Sequence, residues 1–466
     1  MKNQNIPINI VGGTVFARYP KITTEYTLNM MVSGAKDIKA LVTYMGHEKK
    51  LDFNSGQARG LYTSTRINRI IAVFGSSVYA ITENLSSSLI GSLDTQTGNV
   101  YISENQNNQI ALVDGSKVYI WNYNLFTFQS IIIPGIAPSY ITFQDTYFII
   151  ADADSGIWQL SANNDGTIYD PLDRATMETD ADNLQAVTAL NKQIWVIGKK
   201  EGELWINLGR QEFPYVRQNT ITLNYGIISN STLATGFGMM VWLGSNIKSG
   251  VTILTSNGGT AKEISSDEGL HYLLNSLTTP EDSTAFLFNL DGHIIYQITF
   301  RTDNITITYD FTFQTWYSVT DENYNHHIAK YLTSLNNKLY FISYVDSSLY
   351  QCSLNFTTYN GATIPRARIC QHERFADDDK FICNRVNLQI ENGYNEVPGR
   401  IDLSISKDGG YTYGTIVPYQ MQPQGKRISM VKWWKLGMAN DLTFQFKFWS
   451  PDRFVVTSGS MDINTR

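Results

Sequence analysis

The sequence predicts an all-β protein built around a β-propeller of six or seven blades, and two observations carry this prediction. A short signature recurs along the chain, in which a turn is followed by an aliphatic residue and then by Tyr or Trp. Its copies are Val78–Tyr79, Val118–Tyr119, Ile157–Trp158, Leu204–Trp205 and Leu349–Tyr350. The first four copies are 40, 39 and 47 residues apart, and a four-stranded blade takes roughly 40 to 50 residues. A series of β-sandwiches is the alternative that this period leaves open.

Composition supports the same fold class. Aromatic residues make up 12% of the 466 residues, and aromatic side chains pack well on pleated sheets. The formal net charge of −6 argues against a dedicated nucleic-acid-binding protein, which carries a basic excess. Three cysteines, Cys352, Cys370 and Cys383, are too few for a disulfide scaffold and are expected to be reduced. We find neither a secretory signal nor an apolar run long enough for a membrane segment, so folding in a cytoplasm is expected.

Residues 1–57 lack the repeating strand-and-turn pattern of the blades. They predict an extended N-terminal arm laid against a larger body. Pro7, Pro20 and the glycines at 12 and 13 divide this segment into short apolar pieces. Two interpretations stay open, a strand that completes the last blade and an arm that bridges to another subunit.

Residues 58–365 predict the propeller. The expected strands of the first two blades are 59–63, 69–74, 77–82, 89–92, 99–103, 109–113, 117–122 and 126–132. The third blade is expected at 140–169, and the fourth includes strands 194–197 and 204–206. The fifth is expected at 239–264, the sixth at 285–319 and the seventh at 328–364. The fifth and sixth are irregular, so the count stays at six or seven.

One helical insertion is predicted near 268–277, between blades five and six. Its leucines, spaced three and four apart, lie on one face, and a Ser or Asp before it can cap its start. These residues are Leu270, Leu273, Leu274 and Leu277, with Ser265, Ser266 or Asp267 as the cap.

Residues 366–466 predict a separate C-terminal β-sandwich. A charged loop with Asp377–Asp379 leads into alternating strands, and the turn at Asp408–Gly410 is typical of a hairpin. The strands are expected at 384–390, 401–405, 429–434, 442–449 and 453–457.

The chain carries no nucleotide-binding glycine loop, zinc-protease helix or serine-hydrolase elbow, so neither an enzyme nor a cofactor is predicted. Cys370, His372 and Cys383 match no common zinc spacing and are expected to be structural. Two groups of turn residues could bind calcium but are more typical of hairpin turns. They are Asp152 with Asp154, and Asn163–Gly166. No metal site is therefore predicted.

One cluster near the C-terminus is a candidate interface. Its residues are Lys426, Arg427, Lys432, Trp433, Trp434 and Lys435. Strand alternation places the two tryptophans on opposite faces, one in the core and one exposed. An exposed Trp among cations is a plausible anchor for a protein partner. A platform for a saccharide is the competing interpretation.

The sequence resembles the packaged-DNA stabilisation protein, or tail accessory factor, of short-tailed podovirus phages, over nearly its whole length and in collinear order. The matching segments are Tyr26–Met30 with Gly46, then Leu254–Thr260, the helix at Leu270–Leu277 and Pro280–Asp282, then Tyr309, Asp310 and Trp316, then Leu403, Ser404, Asp408, Gly409, Tyr413 and Gly414, and finally Lys426, Arg427, Trp434 and Lys435. The chain departs from the family in being less basic near its C-terminus.

The resemblance implies a non-enzymatic virion protein, a tail hub that completes the head. Such hubs form a hexameric ring below the portal and its adaptor, hold the tail needle and the tailspikes or fibres, and retain packaged DNA until ejection. Double-stranded DNA would pass non-specifically through the ring lumen. The alternative function is a carbohydrate-binding or glycoside-cleaving propeller, which the many Trp, Tyr and Asn residues favour.

Overall fold

The N-terminal segment forms five strands that serve two different parts of the molecule. The structure is a computed structural model that describes residues 2–465 except 36–37, 179–182, 247, 249, 267–268, 375–379, 393–398 and 422–427. The five strands are β1 (Lys2–Ile8), β2 (Tyr26–Leu28), β3 (Met30–Gly34), β4 (Lys39–Thr43) and β5 (Gly46–Asp52). The first four belong to the sandwich, and β5 belongs to the propeller.

Four antiparallel blades follow, each a meander of four strands. Blade one is β6 (Ala58–Ser64), β7 (Arg69–Phe74), β8 (Ser77–Thr82) and β9 (Ser87–Ser92). Blade two is β10 (Tyr101–Glu104), β11 (Gln109–Val113), β12 (Val118–Asn122) and β13 (Thr127–Ile131). Blade three is β14 (Pro138–Gln144), β15 (Tyr147–Asp152), β16 (Ile157–Leu160) and β17 (Arg174–Thr176). Blade four is β18 (Leu184–Leu190), β19 (Gln193–Gly198), β20 (Gly202–Asn207) and β21 (Tyr215–Leu223).

Three further blades complete a ring of seven. Blade five is β22 (Gly226–Ile227), β23 (Ala234–Gly236), β24 (Met239–Asn246), β25 (Gly250–Ser256) and β26 (Lys262–Glu263), with a 3₁₀ turn at Asn230–Thr232. Blade six is β27 (Thr284–Leu290), β28 (His293–Phe300), β29 (Ile305–Asp310) and β30 (Thr315–Ser318), preceded by a 3₁₀ turn at Pro280–Asp282. Blade seven is β31 (Ala329–Leu335), β32 (Lys338–Ser343) and β33 (Ser348–Ser353), with β5 as its fourth strand. The predicted propeller is confirmed, with seven blades.

Apolar contacts between neighbouring blades close the ring. Val73 of blade one and Leu112 of blade two lie in one buried cluster, and Phe74 of blade one shares another with Ile342 of blade seven. The second strand of a blade is buried on both faces and therefore carries a continuous apolar run, as in residues 70–74.

Strand β5 joins the start of the propeller to its end. It pairs antiparallel with β33 from Gly46 opposite Ser353 to Asp52 opposite Ser348. A Cβ added at Gly46 would lie 2.5 Å from the backbone oxygens of Phe356 and Thr358. The close approach of these chains therefore needs a residue without a side chain at this position.

Gly46→Ala is expected to destabilise the protein by about 1–3 kcal/mol, as overpacking of a tight contact does. The midpoint of urea unfolding, followed by tryptophan fluorescence, measures the loss. Gly259→Ala is the matched control, because its added Cβ would meet no atom within 4 Å. Equal midpoints for the two variants would contradict the role assigned to Gly46.

The helix between blades five and six is shorter than the sequence predicts. It spans α1 (His271–Asn275). Leu270, which directly precedes the helix, and Leu274, which lies within it, are buried. Leu270 occupies the N-cap position without a side-chain cap, and Ser265 instead bonds to Thr252 and to the backbone of Ile253. The expected cap is therefore wrong for Ser265, and Asp267 lies outside the described residues. No helix in the described ranges is long and apolar enough to cross a membrane.

The remaining strands form a sandwich and an extension of blade seven. They are β34 (Thr358–Tyr359), β35 (Ala362–Thr363), β36 (Arg366–Ile369), β37 (Glu373–Arg374), β38 (Phe381–Glu391), β39 (Arg400–Ser406), β40 (Val417–Gln420), β41 (Ile428–Ala439), β42 (Asp441–Trp449) and β43 (Val455–Thr465). One sheet has the order β3-β4-β43-β38-β41, with β1 also on β43. The other has β2-β36-β42-β39-β40, with β37 also on β42. Inward residues such as Leu388 and Phe446 share one core.

Strand β2 joins the sandwich to the propeller. Its Leu28 pairs with Ser318 of blade six on one side and with Ala367 of β36 on the other. The N-terminal arm therefore runs within a sheet that continues from blade six into the sandwich.

Side chains close the propeller axis. The Tyr101 hydroxyl, on the inner strand of blade two, donates to Asn230 Oδ1 of blade five at 2.6 Å. Its ring lies 4.1 Å from that of Tyr140, measured between centroids. Burial, with the nearby Tyr331 and Tyr140 hydroxyls, raises the pKa of Tyr101 well above its usual value, so these phenols are neutral hydrogen-bonding groups.

Candidate interface on the sandwich edge

Strand β41 is a long edge strand of the sandwich. It pairs with β38 along one side, from Ile428 opposite Glu391 to Ala439 opposite Phe381. Within the described residues no strand pairs with its other side. A free strand edge offers backbone groups and outward side chains to a partner, and natural proteins protect such edges when they are not used.

Trp433 points inward from this strand. It is only 3% exposed, and its ring packs against those of Tyr419 and Phe446, with centroids 5.9 and 5.7 Å away. Its indole N–H donates to the carbonyl of Val417 at 3.1 Å. Because Val417 lies on β40, the edge strand of the other sheet, Trp433 holds the two sheet edges together.

Trp434 points outward and is 59% exposed. The guanidinium of Arg385, its neighbour across the ladder, lies 4.7 Å from the ring centroid. Arg385 also forms an ion pair with Asp462 of β43. These contacts hold the indole in one place at the surface, so less side-chain entropy is lost when a partner covers it. The predicted placement of the two tryptophans on opposite faces is confirmed.

A β-bulge interrupts β41 directly after Trp434. Lys435 has φ 59° and Gly437 has φ 92°, and the ladder register shifts between Arg385 and Cys383. The bulge and the exposed lysines at 432 and 435 block continuous addition of another strand. A partner at this edge is therefore recognised chiefly through side chains.

The edge carries more apolar surface than the sequence cluster indicated. We call this the sandwich-edge surface, formed by Met430, Lys432, Trp434 and Met438 of β41. Each of its two methionines is 50% exposed. Alternation along β41 is the signal that could have found these methionines. Lys426 and Arg427 lie outside the described residues.

One acidic side chain in each turn considered for calcium accepts hydrogen bonds from the protein itself. Asp152 accepts hydrogen bonds from the Ala137 amide at 2.7 Å and from the Ser155 hydroxyl at 2.5 Å. Asp165 accepts from Gln109 and from the Thr167 amide and hydroxyl. No group of three or more metal-ligating side chains is placed to hold an ion among the residues that the structure describes.

The three cysteine thiols, and a buried pair formed by His293 and Asp310, lie in environments typical of structural residues. All three cysteines are buried, and burial raises the pKa of Cys370 and of Cys383 to about 12, which disfavours the reactive thiolate. His293 Nδ1 lies 2.8 Å from Asp310 Oδ2, and the other oxygen of Asp310 accepts the Thr312 amide. This pair braces two neighbouring strands of blade six.

Known structures resemble this chain only at low identity and with TM-scores below 0.5. A virginiamycin B lyase from Staphylococcus aureus is 9% identical with a TM-score of 0.48, over 66% of this chain and 98% of that one. A structure titled streptogramin B lyase is 11% identical with a TM-score of 0.46, over 66% and 97% of the two chains. The structure of U3-55K is 10% identical with a TM-score of 0.40, over 70% and 98%. No function is transferred from these likenesses.

The sequence itself matches a phage family. No curated protein matches the chain. The model of the family described as "Bacteriophage P22 Gp10, beta-propeller" matches residues 4–351, a span that includes the N-terminal strands of the sandwich and nearly all of the propeller. Because this match covers most of the 466 residues, the chain belongs to the P22 Gp10 β-propeller family and is a phage structural protein.

Proposed function

We propose that this protein is the tail hub of a short-tailed phage, a head-completion factor that forms a hexameric ring below the portal and its adaptor. In this role it retains packaged DNA, anchors the tail needle and the tailspikes or fibres, and lets double-stranded DNA pass through the ring lumen on ejection. The observation that carries the proposal is the family match over residues 4–351. Its place in the virion would be the tail.

The architecture suits a ring subunit. Seven blades close on themselves through β5, and a closed propeller leaves only short, protected strand edges. Such a disc stays rigid under load because each blade packs against two others. The formal charge of −6 supports passage of DNA without adhesion, since adhesion needs Lys and Arg against phosphates.

The sandwich-edge surface is the contact that we assign to ring formation. Copies around a closed axis use two different patches per subunit, one on each side. An exposed tryptophan held in place by Arg385, with flanking methionines, has the composition of a binding hot spot. The patch that receives it lies on the neighbouring copy.

Trp434→Ala is expected to weaken ring assembly by about 2 kcal/mol per contact, roughly thirtyfold, as loss of a hot-spot aromatic does. Light scattering and negative-stain imaging of the protein mixed with its portal–adaptor complex give the measurement, with docked hexamers expected for the unaltered chain.

Leu172→Ala is the control, because this 86% exposed leucine lies on blade three. It should assemble normally. Normal assembly of Trp434→Ala would show that the sandwich-edge surface is not the ring contact. Failure of the unaltered chain to bind the portal–adaptor complex would contradict the tail-hub function.

A carbohydrate-binding propeller is the second candidate, and one pocket favours it. A pocket of about 800 Å³ lies between blades six and seven, lined by the exposed Phe237 and by amides of Asn289, Asn337 and Gln351. Aromatic and amide groups together suit a sugar ring and its hydroxyls. Absence of binding to host surface glycans at millimolar concentration, measured on a glycan array, would exclude this candidate.

A further inference from the structure

A second pocket carries a different chemistry. It has a volume of about 660 Å³ and lies at the end of the propeller where the inner strands β27 and β31 begin. Loops from blades five, six and seven line it, together with Asn99 before blade two. Its distinguishing feature is a pair of cations, Lys330 and Arg301, that come from different blades.

The two cations are linked through neighbouring residues of the pocket wall. The Lys330 ammonium donates to the carbonyl of Ala58 at 2.8 Å, which uses one of its three hydrogens. The Arg301 guanidinium lies 5.6 Å from the ring centroid of Tyr344. The Tyr344 hydroxyl forms a hydrogen bond with Thr284 Oγ1. Thr284 Oγ1 in turn lies 3.3 Å from the backbone carbonyl oxygen of Lys330. Both charged residues line this one pocket, each from its own blade.

Neither cation has a carboxylate partner within the described part of the chain. Besides the contacts just named, the Lys330 ammonium lies 5.4 Å from the ring centroid of Tyr331. Burial, followed by the positive charges of Arg301 and Arg59, lowers the pKa of Lys330 to about 8. A half-buried amine beside a second cation is stabilised by an anion that binds between them.

Acidic groups on the same pocket wall accept hydrogen bonds from other residues, although Asp282 Oδ1 is buried and has no hydrogen-bond partner among the described residues. Asp282 accepts from the Thr302 amide and hydroxyl, and Asp321 accepts from the amides of Asn323 and Asn325. With the exposed Glu281 they add negative charge to the wall. A singly charged anion is therefore accommodated better than a phosphate dianion.

We propose that this pocket binds a carboxylate group, with the Lys330 ammonium and the Arg301 guanidinium as its donors. The carboxylate belongs either to a small organic acid or to an acidic peptide side chain, and both present the same planar pair of acceptors. The site is separate from the sandwich-edge surface and does not depend on ring formation.

Calorimetric titration of the full chain with butyrate, a singly charged carboxylate, near pH 8.5 and in two buffers of different ionisation heat tests the proposal. We expect saturable millimolar binding with uptake of about half a proton or more, because the bound anion returns the neutral fraction of Lys330 to its charged form. A blocked tripeptide with a central glutamate is titrated in parallel, and the tighter of the two ligands identifies the source of the carboxylate.

Two variants and a control make the result specific. Lys330→Met should bind butyrate at least about tenfold more weakly and lose the proton uptake, and Arg301→Gln should bind about tenfold more weakly. Arg301→Gln also guards against misfolding, because Arg301 is exposed and its one contact is with the Tyr344 ring. Lys338→Met, at an exposed lysine of β32, should bind as the unaltered chain does.

Three results would overturn the proposal. They are absence of saturation up to about 50 mM butyrate, unchanged affinity and proton uptake in Lys330→Met, and tighter binding of inorganic phosphate than of butyrate.

Discussion

Arg368→Met is expected to lower the free energy of unfolding by about 3–5 kcal/mol, the loss typical of a broken buried ion pair. Arg368 is 0% exposed. Its guanidinium pairs with Glu25 at 2.8 Å and donates to the carbonyls of Gly13 and Asn9 and to the Thr27 hydroxyl. Removing it leaves a largely buried carboxylate and several acceptors without their donor.

The effect should be concentrated in the N-terminal strands, because all four partners precede β3. Urea unfolding gives the free energy, and limited proteolysis should cut first in residues 9–27. Arg374→Met is the control. Its pairing with Asp441 at 3.1 Å is partly exposed, and such pairs contribute about 0–1 kcal/mol. Equal losses for the two variants would show that Arg368 does not pin the arm.

Acid is expected to destabilise the propeller at the point where β5 closes it. His47 is 4% exposed and His327 is 1% exposed. Burial lowers the pKa of His47 to about 4, against the opposing charge of Asp346. Burial, with the nearby His47 and His326, lowers the pKa of His327 well below its usual value. Both rings are therefore neutral in the folded protein.

The direction of the pH effect follows from these lowered pKa values. Between pH 6.5 and about 4 the unfolded chain binds more protons at His47 than the folded one. Stability is full above the unfolded pKa and falls as the pH decreases, by about 3 kcal/mol for His47 at pH 4. Thermal unfolding from pH 7.5 to 4 measures the decrease.

His47→Phe should reduce this acid sensitivity. The ring stacks on Tyr359 with centroids 4.6 Å apart, and its Nδ1 is buried without a hydrogen-bond partner, so phenylalanine keeps the packing and removes the titrating group. His271→Gln, which alters a more exposed histidine paired with Glu263, should leave the profile unchanged. An equal acid decrease in His47→Phe would assign the sensitivity to other groups.

Local patterns predicted most of the propeller. Turn residues followed by Val–Tyr or Ile–Trp pairs mark hairpins because the turn and the alternating strand are adjacent in sequence, as at Val78 and Ile157. The burial of Trp433 and exposure of Trp434 follow from the same alternation. The leucine spacing found the helix but not its bounds, because its first and last residues are held by packing on the β-body.

Contacts between segments far apart in the chain could not be predicted from the sequence. The pairing of Gly46 with Ser353 joins positions some 300 residues apart. From the sequence, a strand that completes the last blade was therefore only one of two interpretations of the N-terminal arm. In the sequence, Lys330 cannot be distinguished from an ordinary polar residue on an alternating strand. Its setting depends on Arg301 and on Ala58, which blades six and one bring beside it.

The Tyr101–Asn230 hydrogen bond joins blades two and five across the propeller axis, which leaves no room for duplex DNA within a single propeller. In the hexameric ring that we propose, the opening for DNA would therefore lie between copies, and its diameter would be set by how those copies are arranged. Widening that opening would require whole subunits to move apart as rigid bodies while every blade stays closed. Release of DNA from such a ring would then depend on the contacts between subunits and not on the stability of the propeller.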